Sequence, residues 1–319
     1  MPAGRICLNE QAAVLVEHLV DNQQALGIEH ITFSGRSQVL DAGINSPGSL
    51  EAGRLVAEAS LGGLGRVEFV LLSFDDFWLP GIQVTVQEPS IACLASQYAG
   101  WSVQGEGFSA LGSGPARALA AKEEVFKVLA YREQARRGVL ILESDSLPPE
   151  QVARKLAAEC GLQPQHLWLI AASTASIVGS VQVAARVVET GLHKLLTLGY
   201  DINCVRAAFG TCPLAPVAQD DLTALGRTND AVLYGGRCFY TVADVSDRIQ
   251  AVVDRVPSSA SSDYGTLFLD LFKRYGDFYD MDPLLFSPAE VVINNQSTGR
   301  VHRAGSINAD LLRASLLEV

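Results

Sequence analysis

The sequence predicts an α+β chain, on three observations. Residues 66–74, 83–87 and 91–103 are apolar runs separated by Asp75-Asp76 with Pro80-Gly81 and by Glu88-Pro89, the pattern of an antiparallel meander. Residues 138–143, 149–160, 167–171 and 173–192 read strand, helix, strand, helix, which implies two parallel strands. Residues 290–295 and 300–304 flank Ser297-Thr298-Gly299 as a hairpin.

The remaining elements follow from local signals. Asn9 is placed to cap a helix running to about residue 25, followed by a strand at 30–33. Pro47-Gly48 precede a helix at 50–60 with small residues on its inner face. A helix at 122–134 follows the meander, and Gly161 ends the helix opened by Pro148-Pro149. Further on, the pattern gives a strand at 204–209, a small-residue loop at 210–216, a short helix and a strand at 230–241. Helices at 244–253 and 263–274 flank Pro257-Ser258-Ser259, and a C-terminal helix closes the chain. The domain division is placed near residue 136. An N-terminal α+β domain at 1–136 then carries the meander and the glycine-rich stretch, and an α/β domain at 137–319 carries the helix described next; a discontinuous variant of this division is allowed.

With 319 residues, 48% hydrophobic and 18% charged, the chain can bury a substantial core as two domains or one large one. A net charge of -11 with no Lys/Arg-rich run argues against nucleic acid and anionic membranes as partners. No basic segment followed by an apolar run marks a secretory signal in residues 1–15. The six cysteines show no C-x-x-C pairing and sit in apolar patterns, which fits reduced thiols in a cytoplasm. The five histidines are scattered, so no metal site is expected.

The most informative stretch is 175–192, apolar on almost every side and therefore a buried helix. Its polar residues Gln182, Arg186 and Glu189, continued by His193, fall at spacings of four, three and four, which is one stripe on one face. Two readings stay open. Arg186 and Glu189 form an internal ion pair that fixes how the helix docks, or Glu189 is a general base that Arg186 orients and keeps ionised.

The stretch 105–115 is the glycine-rich one. Gly105, Gly107 and Ala110 match a relaxed G-x-G-x-x-A dinucleotide pattern, with Glu123 and Glu124 downstream. The match is rejected because Gly112-Ser113-Gly114-Pro115 breaks any helix opening inside it. Pro115 instead starts a helix. The amides of Gly112, Ser113 and Gly114, with Arg117, are then candidates to hold an anion, and a plain tight turn is the equal alternative.

Several stretches together resemble one family. They are Ala92-Cys93-Leu94-Ala95-Ser96-Gln97-Tyr98-Ala99-Gly100-Trp101, Gly112-Ser113-Gly114-Pro115-Ala116-Arg117, the run 184–192, Gly226-Arg227-Thr228-Asn229-Asp230 with Tyr234-Gly235, and Phe286-Ser287-Pro288-Ala289-Glu290 with Asn294-Asn295. Across most of the chain, and in this order, the sequence resembles the methenyltetrahydromethanopterin cyclohydrolases, which open the N5,N10-methenyl bridge of a pterin cofactor to a formyl group in one-carbon metabolism.

The resemblance implies two α+β domains facing each other across a deep pocket. It also implies a cytoplasmic homotrimer without metal or prosthetic group, with the pterin derivative as substrate. The family's catalytic glutamate and its arginine fall on Glu189 and Arg186. Trp101 and Phe286 become candidate walls for the flat rings, each equally able to be core. Gly112 to Gly114 and Arg117 become candidates for a phosphate on the substrate's tail, and Gln182 joins the substrate-binding candidates. Asn229, Asp230 and Asn294 are candidates to read pterin edges. Two rivals remain: a catalytically silent pterin- or phosphate-binding protein in which Arg186 and Glu189 merely pair, and a dinucleotide oxidoreductase using 105–110.

Overall fold

The computed structural model describes residues 7–105, 107–276 and 280–318. Its strands are β1 (Glu29–Thr32), β2 (Gln38–Asp41), β3 (Gly65–Phe74), β4 (Phe77–Gln87), β5 (Trp101–Gly105), β6 (Phe108–Ser113), β7 (Gly138–Glu143), β8 (Leu167–Ala172), β9 (Val205–Pro213), β10 (Arg237–Val242), β11 (Glu290–Asn295) and β12 (Arg300–Gly305). Its α-helices are α1 (Leu8–Asp21), α2 (Gln23–Leu26), α3 (Leu50–Ser60), α4 (Ala116–Ala120), α5 (Val125–Leu129), α6 (Glu150–Glu159), α7 (Ile177–Ala184), α8 (Val187–Thr197), α9 (Asp221–Gly235), α10 (Phe268–Tyr275) and α11 (Ala309–Leu316). The fold is α+β, with two mixed six-stranded sheets among the described residues.

Each sheet anchors one compact unit. The first unit holds the residues up to Gly65 together with Ile91–Gly179, and the second holds Arg66–Ser90 together with the residues from Ser180 on. This differs from a single cut near residue 136, for reasons of pairing. β7 and β8 join β6 and β2 in the first sheet, whereas β4 of the inserted segment pairs with β9 in the second.

The first sheet runs β1-β2-β8-β7-β6-β5, with β2, β8 and β7 parallel. Leu40, Val139, Ile141 and Ile170 pack against α1 and α3, while the alternating Val39, Leu140, Leu142 and Leu169 pack in a second cluster with residues of α6. Burial on both faces is why 138–143 reads as an unbroken apolar run, and each such side chain contributes about 1.5–3 kcal/mol.

The cap of α1 is not Asn9. Asn9 lies inside the helix, its Nδ2 donating to the Pro115 carbonyl at 2.8 Å and its Oδ1 accepting from the Val139 amide at 3.1 Å. The free amides of the first turn go instead to Glu133, whose carboxylate accepts from Leu8 N at 3.1 Å and Asn9 N at 3.0 Å. A carboxylate there also suits the positive end of the helix dipole.

The expected meander is only half present. β3 and β4 form its first two strands, but Ser90–Gln97 is a π-helix and β5 begins at Trp101. Ala92, Cys93, Leu94 and Ala95 are all fully buried, so their continuous apolar run fits a buried helical turn as well as a buried strand. The glycine-rich stretch is likewise a strand: β6 pairs antiparallel with β5, placing Gly112 opposite Trp101.

The second sheet runs β12-β11-β10-β9-β4-β3, with β10 and β11 parallel and β11 and β12 forming the expected hairpin. Cys238 and Tyr240 point from β10 toward α8, and Val291 and Ile293 share their face by register. Phe209 and Phe239 lie on the other face, about two-fifths exposed. Four sequence expectations change here. Residues 210–213, expected in a loop, continue β9. Residues 230–235 belong to α9, whose N-cap Asp220 accepts from the Thr223 amide. The helix expected at 244–253 is a pair of 3-10 turns, and that expected at 263–274 is the shorter α10.

Candidate active site

The polar stripe survives, but on a broken helix. α7 ends at Ala184, the Arg186 amide bonds the Val183 carbonyl three residues back, and α8 starts at Val187. Because three- and four-residue neighbours remain adjacent through this tight turn, Gln182, Arg186 and Glu189 still meet. Arg186 Nη2 donates to Gln182 Oε1 at 3.2 Å, and its Nη1 lies 3.9 Å from Glu189 Oε2. All three are buried, Glu189 at 4% exposure. The arginine is thus oriented from one side by a neutral amide and faces the carboxylate without a hydrogen bond between them at the recorded distance.

α8 is fixed from behind by groups that the spacing argument did not find. Tyr240 donates from its hydroxyl to the Val188 carbonyl at 2.9 Å, and Cys238 Sγ lies 3.1 Å from the Val187 carbonyl. Gly191 makes the close approach possible, since a Cβ there would stand 2.2 Å from Tyr240 Oη and 3.2 Å from Pro288 Cδ. Lys194, only 1% exposed, donates its ammonium to the Leu284 carbonyl. Burial pulls that ammonium down to about 8, with Asp282 opposing the fall and Arg255 adding to it. One signal was available in the sequence: Val187, Gly191 and Lys194 fall at spacings of four and three on a face otherwise apolar.

Phe286 is half-buried, between Leu284 and Pro288 that meet this helix, and edge-on to Phe268 with ring centroids 6.0 Å apart. The other candidates of the second unit have structural duties. Asn229 Nδ2 donates to the Leu225 carbonyl one turn back. Asp230, 1% exposed, accepts from the Phe268 amide at 2.9 Å and from the Ser315 hydroxyl at 2.6 Å, tying α10 and α11 to α9. Burial raises its carboxyl to about 7 despite those donors. Asn294 pairs with Thr241, and so lies on the sheet face opposite Tyr240 and α8.

In the first unit, Arg117 is not held open for an anion. It is fully buried, its Nη1 donates to the Leu94 and Ser96 carbonyls, and its Nε and Nη2 grip Glu123 at 2.9 and 2.5 Å. Gly114 donates its amide to the same Ser96 carbonyl and adopts a φ of +98°, which only glycine accepts without strain. Gly112 packs against Trp101, and Ser113 is fully buried. Trp101 lies under the Lys122 ammonium, 5.3 Å from the ring centroid, and lines a cavity of about 300 Å³ with Gln104, Lys122, Lys155 and Glu159. The first unit therefore gathers Gly112, Ser113, Gly114, Trp101 and Arg117, and the second gathers Gln182, Arg186 and Glu189, with Phe286 on the segment that meets α8 at Leu284 and Pro288.

Among the described residues no group of three His, Cys, Asp or Glu is placed to hold a metal, and no helix is long and apolar enough to cross a membrane.

Residues 7–316 match the family described as Cyclohydrolase (MCH). The chain is 42% identical over 317 residues to the methenyltetrahydromethanopterin cyclohydrolase of Methanocaldococcus jannaschii, covering 98% of each. It is 43% identical over 309 residues to that of Methylobacillus flagellatus, covering 97% of this chain and 94% of the relative. It is 42% identical over 314 residues to that of Methylobacterium organophilum, covering 97% of each. Whole-length identity of this degree leaves no room for a shared module alone, and the chain belongs to the methenyltetrahydromethanopterin cyclohydrolase family.

Proposed function

We propose that the chain hydrolyses the N5,N10-methenyl bridge of methenyltetrahydromethanopterin by attack of water on the bridging carbon, with Glu189 as general base and Arg186 as the group that orients it. The observation that carries this is the buried Glu189 carboxylate, 3.9 Å from an Arg186 guanidinium itself oriented by Gln182.

The bridge is a delocalised amidinium cation, so its carbon is electrophilic from the start and what the reaction needs is a nucleophile. Water oxygen bonds to that carbon as Glu189 takes one of its protons. One carbon–nitrogen bond then breaks, its electron pair stays on nitrogen, and that nitrogen gains a proton. The carbon remains as a formyl group on the other nitrogen. The overall balance releases one proton. Base assistance is typically worth ~10²- to 10⁴-fold, and a negative carboxylate also favours the cationic substrate over the neutral product.

Phe286 is proposed as a wall for the flat rings and Gln182 as a polar contact beside the base. Trp101 remains a proposed wall within its own cavity. Arg117, Asn229, Asp230 and Asn294 are assigned to the scaffold, because each is engaged by protein partners or lies on the far sheet face. The Gly112 and Gly114 backbones are likewise spent on the β5–β6 hairpin and on Ser96. A cytoplasmic location and the use of no metal are part of the same reading, supported by the free thiols and by a substrate that needs no Lewis acid, and the homotrimer is what the family resemblance implies.

The test is loss of methenyl-substrate absorbance on adding the protein, run beside methenyltetrahydrofolate, with light scattering for the assembly. Rapid loss with the methanopterin substrate supports the reading. Binding without turnover overturns it in favour of a silent binding protein, and NAD(P) binding in favour of an oxidoreductase.

A further inference from the structure

α8 meets the segment from Leu284 to Pro288 at two points on one helix face. Lys194 donates to the Leu284 carbonyl, and at Gly191 the missing side chain admits Pro288. Between these anchors the segment carries Phe286, whose ring is partly open and braced edge-on by Phe268. A methionine could fill the space of Lys194 without desolvating a charge, so packing alone gives no reason for an ammonium there. What the ammonium adds is a directed, charge-assisted bond to one main-chain carbonyl.

We propose that Lys194 is a positioning residue for the hydrolysis, clamping the segment from Leu284 to Pro288 onto the helix that carries Glu189 so that Phe286 presents its ring to the flat part of the substrate. This rests on the reading of Phe286 as a substrate wall. Lys194 acts through that ring and touches no reacting atom. A ring wall contacts ground and transition states alike, so loss of the clamp appears in KM rather than kcat.

The charged groups facing the ammonium are Asp282, on the segment itself, and Arg255, from the turn Val253–Arg255. The Asp282 carboxyl is already held below the usual range, chiefly by hydrogen bonds from Ser261, Leu284 and Ser262 that outweigh its burial. Lys194 is therefore the member of this group that changes charge in mildly alkaline solution.

The experiment measures kcat and KM for the methenyl substrate, and thermal unfolding, on the full-length chain and on Lys194→Met, Phe286→Ala and the double variant. KM is expected to rise ~10-fold in each single variant with kcat within ~3-fold, and the double variant to be no worse than the poorer single one, because both lesions remove the same contact. Lys194→Met is expected to melt no earlier than the parent at pH 7. The parent's KM is expected to climb as pH rises through about 8, with a flat profile in Lys194→Met. A parental KM in Lys194→Met, or KM increases that multiply in the double variant, overturns the clamp while leaving the wall intact. A parental KM in Phe286→Ala overturns the wall and the clamp with it. If Lys194→Met does not fold, the parent's pH profile and Lys194→Gln decide: a parental KM in the glutamine variant together with a parent profile flat through pH 8 overturns the proposal.

Discussion

Arg186 Nη1 and Glu189 Oε2 stand 3.9 Å apart in the buried stripe, a separation at which charges attract but no hydrogen bond joins them. A pair built only to hold the helix would close that gap, since two desolvated charges recover their cost through short contacts.

Replacing Glu189 by glutamine separates the two roles. The amide keeps the size and reach of the side chain, and Arg186 keeps Gln182. Turnover should fall at least ~10²-fold with the melting temperature nearly unchanged. If the pair were purely structural, the uncompensated Arg186 would cost ~3–5 kcal/mol and the folded fraction would still turn over. Unfolding and kcat measured on one preparation distinguish the outcomes.

Arg117→Ala should fail in the opposite way. The change leaves Glu123 without its partner and strips the Leu94 carbonyl of a donor, for a loss of ~3–5 kcal/mol. Arg117→Lys should recover little, because a single ammonium cannot reproduce the two-pronged grip on Glu123 while also reaching the π-helix. KM in the folded fraction should match the parent. A raised KM with parental stability would return Arg117 to the substrate.

Asp230 predicts a pH dependence of stability. Its folded pKa, near 7, lies above the ordinary aspartate value, so the folded state holds a proton that the unfolded chain has given up. This contribution is full below about pH 4 and declines as pH rises to about 7. Asp230→Asn keeps an acceptor for the Phe268 amide and can donate from Nδ2 to the Ser315 hydroxyl oxygen, reversing that bond, and should melt later than the parent at pH 8 but not at pH 4. Thermal scans of both proteins across that interval test it; an equal difference at the two ends would sink the assignment.

The pattern of what the sequence revealed follows from range. β7, α6, β8 and the β11–β12 hairpin were legible because their signals are local: an apolar run, a proline pair, a closing glycine, a turn triplet. The Arg186–Glu189 relation was legible too, since neighbours three apart stay together whether the helix is continuous or broken. Illegible were the partners supplied from afar. Glu133 caps a helix more than a hundred residues before it, Glu123 and two carbonyls occupy Arg117, and Ser315 reaches back to Asp230. None of these leaves a periodic trace. The same limit hides which strands share a sheet, because β3 and β4 look like neighbours of β5 along the chain and belong to the other sheet.

That detour of β3 and β4 sets an order on biosynthesis. As the chain leaves the ribosome, the first sheet has all its strands once β8 is made, but the β3–β4 hairpin still lacks the strand β9 on which it docks. Its exposed Phe69, Leu71 and Trp78 and its unpaired edge are available for wrong pairings throughout that interval. No single cut of the gene separates the two units: a fragment ending at Gly179 carries an orphan hairpin, and the complementary fragment lacks two strands of its sheet.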